Sequence, residues 1–284
     1  MYMNRIVSLL TIAFMVMCIS VSCKKDADSP PPEPPEPVET QPAVLRPVTK
    51  TIGNNVDGYY EALPAMYHQT TKKYPLLIYF HGSGQIGGGS ATDLQKLLNA
   101  GTAKVLGEKR FPPNFVVNGQ NFSFIVLMPQ FRGEPSNTDI KSFVDYAKAN
   151  YRHDSSRVYL SGSSMGARNL TEFAATYPAE QTAIVPMAGA LFYELNKKAK
   201  NIADYKVAAW LFHNENDRSI SPSESLNFVN AVNSFSPAIP AKLTMFPPSD
   251  SPEGHDAWTV PTNPEYRENG KNIYEWMLQY KRQF

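Results

Sequence analysis

The segment that most constrains this chain is residues 157–168, Arg157-Val158-Tyr159-Leu160-Ser161-Gly162-Ser163-Ser164-Met165-Gly166-Ala167-Arg168. Val158, Tyr159 and Leu160 form the short apolar run that a buried parallel strand requires. The run breaks at Gly162-Ser163-Ser164-Met165-Gly166, and Leu170, Phe173 and Ala174 then follow at helical spacing. A G-x-S-x-G pentapeptide between a strand and a helix predicts a sharp turn that lifts the central Ser164 hydroxyl from the top of a sheet. Residues two before and two after that serine crowd the turn, which accounts for glycine at both. The N–H of Met165, where the helix opens, can then donate to an oxyanion beside the serine. Ser161 and Ser163 are close by, but only Ser164 has glycine at both two-residue offsets.

The chain has 284 residues, 42% of them hydrophobic, which is enough for one large domain with an ample core. A net charge of +1, with both signs interspersed, gives no case for nucleic acid or for a polybasic membrane surface. Five histidines and two cysteines are too few and too scattered for a metal framework, and no cofactor is expected. The oligomeric state stays open.

Residues 1–22 are expected to lie outside the fold. Arg5 supplies a positive start, and the apolar run Ile6 to Val21 is short for a spanning helix but suits a secretory signal. Small Ser20 and Ser22 precede Cys23, which resembles the lipobox of bacterial lipoproteins, although Ser20 stands where Leu, Val or Ile is more usual. The resemblance implies cleavage before Cys23 and lipid attachment there. Cys18 is a poorer candidate because bulky Met17 precedes it, and an ordinary cleaved signal or an uncleaved anchor is the alternative. Lys24-Lys25-Asp26 also resembles the tails of Bacteroidetes-type surface lipoproteins. The expected location is extracytoplasmic, on the periplasmic or cell-surface face of the outer membrane, with the lipid as the only membrane contact. Residues 23–47, rich in Pro, Glu and Asp, read as a semi-rigid polyproline tether. The domain is then expected over 48–284.

Within it, Tyr59 to Pro64 reads as an edge strand, and Leu76-Leu77-Ile78-Tyr79-Phe80 as a central parallel strand. The latter runs into the loop His81-Gly82-Ser83-Gly84-Gln85-Ile86-Gly87-Gly88-Gly89. Gly82, Gly84 and Gly87 fit G-x-G-x-x-G, but no acidic residue ends a second strand about 20 residues on, as a dinucleotide site needs. Thr92 as N-cap opens a predicted helix, and Asn121 to Pro129 gives another strand ending near Arg132. Arg132 could touch a substrate or form a surface salt bridge. A helix after Thr138 carries Ile140, Phe143, Val144 and Ala147 on one face. Further strands are expected at Ala183 to Gly189, Ala208 to Phe212 and Lys242 to Phe246. A helix bearing Leu226, Phe228, Val229 and Val232 and a terminal helix bearing Ile273, Trp276, Met277 and Tyr280 complete the pattern. Strands alternating with helices argue for a parallel α/β sheet.

A serine hydroxyl is a weak nucleophile, so it needs a base in hydrogen-bond reach and an acid to orient that base. Two positions after Ser164 fit: Asp217, in a loop closed by Pro222, and His255, after the last strand. Glu215 could substitute for Asp217. Asp256 adjoins the base in sequence, so its side chain would have difficulty reaching Nδ1, and it reads as a loop turn. His81 and His213 read as structural, and His68 and His153 lie in polar turns. Trp258 could line an acyl or leaving-group pocket or pack in the core.

Tyr79-Phe80-His81-Gly82-Ser83-Gly84, Gly162-Ser163-Ser164-Met165-Gly166, the Asp217 loop and Gly254-His255-Asp256-Ala257-Trp258 together resemble the α/β-hydrolase superfamily. Within it, they are similar to the polyhydroxybutyrate-depolymerase, feruloyl-esterase and "predicted peptidase" group of secreted hydrolases, over roughly residues 57–284. The departure is His213-Asn214 before the acid, where relatives usually show His-Gly. The resemblance implies an α/β-hydrolase fold, a mostly parallel central sheet with helices on both faces. It also implies a Ser164, Asp217 and His255 triad, with an oxyanion hole from the N–H groups of Met165 and of Ser83 or Gly84. The implied activity is hydrolysis of a small-molecule or polysaccharide ester, with feruloyl and acetyl groups as candidates. A serine peptidase of the same fold, and a non-catalytic glycan- or partner-binding lipoprotein, are the alternatives.

Overall fold

The structure is a computed structural model and describes residues 37–190 and 193–282. The expected signal segment, Cys18 and Cys23 lie outside the described residues. In chain order come β1 Val44–Ile52, β2 Val56–Leu63, β3 Tyr74–Phe80, α1 Ala91–Gln95, α2 Gly101–Gly107, a hairpin of β4 Phe115–Val117 and β5 Gln120–Phe122, and β6 Ile125–Phe131. They are followed by α3 Asn137–Asn150, β7 His153–Ser163, α4 Met165–Thr176, β8 Ala183–Met187, α5 Leu195–Asp204, β9 Ala208–Asn214, α6 Pro222–Ser234 and β10 Lys242–Phe246. Short α7 Thr259–Thr262 and α8 Ile273–Leu278 come last.

Eight strands form one sheet in the order β1-β2-β6-β3-β7-β8-β9-β10. The pairings β6-β3-β7-β8-β9-β10 are parallel, while β1 and β2 are antiparallel additions beyond β6. Because side chains alternate across a strand, each apolar strand serves two cores. Leu76, Ile78 and Phe80 join Val158, Leu160 and Leu211 on one face, packed by α3, α4 and α6. Leu77, Tyr79, Tyr159, Trp210 and Phe212 line the other, packed by α2, α8 and the small hairpin. Helices therefore cover both faces, and the parallel strand ends on one side are left for loops.

The structure corrects several expectations, among them the single strand Asn121 to Pro129, which is divided between β5 and β6. The fold begins before residue 48: Val44–Ile52 is the true edge strand, so Tyr59 to Leu63 lies one strand inward, between β1 and β6. Glu39, expected in the tether, is buried, accepts from Met66 N and Tyr74 Oη, and offers its carbonyl to Asn114. Ser90, not Thr92, caps α1, because its Oγ accepts from Asp93 N at 3.1 Å. Leu226 faces solvent, whereas Phe228, Val229 and Val232 are buried.

Candidate active site

Ser164 sits between β7 and α4 with φ 52° and ψ −120°, a conformation strained for any residue but glycine. Its N–H donates to Met187 O at 2.9 Å, which fixes the turn to the neighbouring β8. The flanking glycines are dictated by space. A Cβ at Gly166 would lie 2.3 Å from Phe80 O, and one at Gly162 would lie 2.8 Å from the same oxygen. The end of β3 thus presses directly against the serine turn. The other serines are occupied: Ser161 Oγ donates to Val185 O at 3.2 Å, and Ser163 Oγ pairs with Tyr79 Oη at 3.0 Å.

Asp217 and His255 reach Ser164 from two later loops. His255 Nε2 lies 2.8 Å from Ser164 Oγ, and its Nδ1 lies 2.7 Å from Asp217 Oδ2. Nδ1 faces a carboxylate and must carry the proton, so Nε2 is left to accept from the serine hydroxyl. The His255 side chain is 17% exposed, whereas that of Asp217 is fully buried. Asp217 Oδ1 accepts from Ser219 N at 2.9 Å and Ile220 N at 3.0 Å, so the carboxylate is held at both oxygens. Beside Ser164 runs the 82–84 segment, where a Cβ on Gly82 would come 3.4 Å from Ser164 Cβ. Ser83 and Gly84 begin a single 3-10 turn there and are exposed. Met165 opens α4, and first-turn N–H groups have no partner within their own helix. The arrangement brings a hydroxyl, an imidazole, a carboxylate and backbone N–H groups to one point, a geometry in which they can act as nucleophile, base, orienting acid and oxyanion donors.

No protein-family model matches the chain. Poly(3-hydroxyalkanoate) depolymerase C from Paucimonas lemoignei is 47% identical over 58 residues, covering 20% of this chain and 14% of that protein. The structure of a thermostable esterase matches with a TM-score of 0.57 at 17% identity, over 86% of this chain and 64% of the esterase. The chain thus spans less than two thirds of that esterase's length. A mutant feruloyl esterase module from Clostridium thermocellum, complexed with sinapinate, matches with a TM-score of 0.50 at 15% identity, over 83% of this chain and 95% of the module. The chain has the α/β-hydrolase fold. In this α/β-hydrolase fold Ser164 follows β7, the Asp217 loop follows β9 and the His255 loop follows β10, all at ends of parallel strands.

The remaining predicted residues have defined places. Trp258 is half-buried and stands edge-on to His255, with ring centroids 5.2 Å apart at 86°, so it walls the base. The Arg132 guanidinium pairs with Asp57 at 3.2 Å and donates to Asn54 O, the surface ion-pair alternative. Glu215 is exposed and Asp256 accepts from Trp258 N and Thr259 N, a loop-turn role. His81 is buried: its Nε2 accepts from Phe131 N at 3.0 Å, and Nδ1 donates to Gly82 O at 2.7 Å. Burial lowers its pKa to about 4, so the ring is neutral and ties the 82–84 segment to β6. Among the described residues no group of His, Cys, Asp and Glu could hold a metal ion, and no helix is long and apolar enough to cross a membrane.

Sequence reasoning missed the clamps between the two loops. Asn214 is buried, and its Nδ2 donates to Gly254 O, one residue before the base, at 2.7 Å. Asn216 donates from Nδ2 to Ser249 O and accepts from Ser249 N, and Arg218 N donates to Glu253 O. The one signal in the sequence was Asn214 itself, standing where relatives usually carry glycine.

Proposed function

We propose that this chain is a serine hydrolase of carboxylic esters acting through an acyl-enzyme. The observation that carries this reading is the continuous relay from Ser164 Oγ through His255 to Asp217, at 2.8 and 2.7 Å. Ser164 Oγ attacks the ester carbonyl carbon while His255 Nε2 takes its proton. Asp217 holds the Nδ1–H tautomer and stabilises the imidazolium that forms. The carbonyl oxygen becomes an oxyanion, met by the N–H of Met165 and one from the Ser83-Gly84 segment, each donor being worth about 10²–10³ in rate. Collapse breaks the carbon–oxygen bond to the alcohol, which leaves with the proton from His255. Water, deprotonated by His255, then attacks the acyl carbon, and Ser164 departs with the proton.

Feruloyl or acetyl groups on polysaccharides are the substrate class we favour, supported by the fold shared with the feruloyl esterase module. Export and lipid attachment at Cys23 would hold such an enzyme at the outer membrane, near polymers outside the cell. Ser164→Ala should abolish turnover of p-nitrophenyl acetate and methyl ferulate while the thermal melt stays cooperative. Normal ester turnover by that variant would overturn the reading, and cleavage of peptide anilides in preference to esters would replace it with a peptidase. Incorporation of a clickable palmitate analogue, lost in Cys23→Ala, tests the anchor.

A further inference from the structure

Asp217 faces two histidines. His255 Nδ1 lies 2.7 Å from its Oδ2, and His213 Nε2 lies 3.1 Å from the same atom. His213 is the penultimate residue of β9 and is fully buried, so its ring contacts are fixed by packing. Its Nε2 also lies 3.0 Å from Ile220 O, while Nδ1 lies 2.7 Å from Ser225 Oγ on α6. Nε2 faces a carboxylate and a carbonyl, two acceptors, and must therefore carry the proton. Nδ1 then accepts from the Ser225 hydroxyl. Burial lowers the pKa of His213, which favours this neutral form.

We propose that His213 is a positioning residue for the acid, sharing Asp217 Oδ2 with His255 and thereby limiting how strongly the carboxylate holds a proton on the base. A donor on Oδ2 withdraws negative charge from the atom that stabilises the His255 imidazolium. Without that donor, more negative charge stays on Asp217 Oδ2, and the His255 imidazolium facing it is favoured. His213 touches no substrate and acts only through Asp217. The titratable groups in contact across the loops are Asp217 and His255. Of the other charges nearby, Glu224 on α6 is paired with Arg168, and Arg218 of the acid loop is paired with Glu253 of the base loop. Glu215 is exposed, and Lys242 on β10 is paired with Glu268.

This inference rests on the triad reading, and its test separates the two. His213→Leu and His213→Gln are compared with the native chain by the acid limb of the kcat/KM–pH profile and by ¹⁵N NMR titration of the His255 ring. In His213→Leu both midpoints should move to higher pH by about one unit. In His213→Gln, which keeps a neutral N–H donor, they should stay with the native chain. Unmoved midpoints in a folded Leu variant, or equal shifts in both variants, would overturn the proposal. If the Leu variant does not fold, Ser225→Ala should give a smaller shift in the same direction, and no shift would overturn it. Protonation of His213 at Nδ1 rather than Nε2 in the native chain would overturn it equally. A native chain without ester turnover would defeat the functional reading alone, because the NMR midpoints still decide the role of His213.

Discussion

Replacing His81 by glutamine should remove one defined part of the acid sensitivity of this fold. His81 titrates near 6.5 when unperturbed and at about 4 in the folded chain, because burial disfavours its charged form. Between those values the unfolded chain binds the proton and the folded chain does not, so stability must fall as pH falls. The contribution is complete above about pH 6.5, declines below it and levels off below about pH 4. At about 1.4 kcal/mol per unit, the full span is worth about 3 kcal/mol, and about 2.5 kcal/mol is already lost at pH 4.5. Urea unfolding of the native chain and of His81→Gln at pH 7 and 4.5 isolates this term, since the other groups cancel in the double difference. The native chain should lose about 2.5 kcal/mol more than the variant. Equal losses would refute the argument that a buried neutral imidazole ties the 82–84 segment to β6.

Other perturbations separate space, clamping and chemistry. Gly166→Ala drives a methyl to 2.3 Å from Phe80 O and should prevent soluble expression, whereas Gly84→Ala, with nothing within 4 Å, should leave the melting temperature within a degree or two of native. Asn214→Ala removes the bond to Gly254 O and should lower kcat about tenfold with KM little changed, at a stability cost of about 1 kcal/mol in urea unfolding. Asp217→Asn should lower kcat by about 10⁴ without unfolding the chain, read by stopped ester assays beside circular dichroism.

How much of this was legible in the sequence depended on the range of the forces involved. The central strands announce themselves because burial on both faces demands unbroken apolar runs, and Lys242–Phe246 has the bounds that its pattern suggests. β1 was missed because it is an exposed edge strand with Pro47 inside it, so its residues show little of the apolar pattern of the central strands. The serine turn was legible because both of its glycines answer to one oxygen, Phe80 O. Asp217 and His255 were singled out by chain order and by standing after strands. Their clamps were not legible. Asn214 to Gly254 and Asn216 to Ser249 join residues about 33–40 positions apart, with no local periodicity to mark them. His213 was read as structural, and only the folded geometry reveals that it meets the same carboxylate oxygen as His255.

The most direct test of the central claim is to treat the purified chain with a fluorophosphonate and map the modified residue by tandem mass spectrometry. A serine activated by His255 and Asp217 should be labelled at Ser164 alone, with the adduct lost in Ser164→Ala and strongly slowed in Asp217→Asn. A folded chain that takes no label, or one labelled at Ser161 or Ser163 instead, would contradict it.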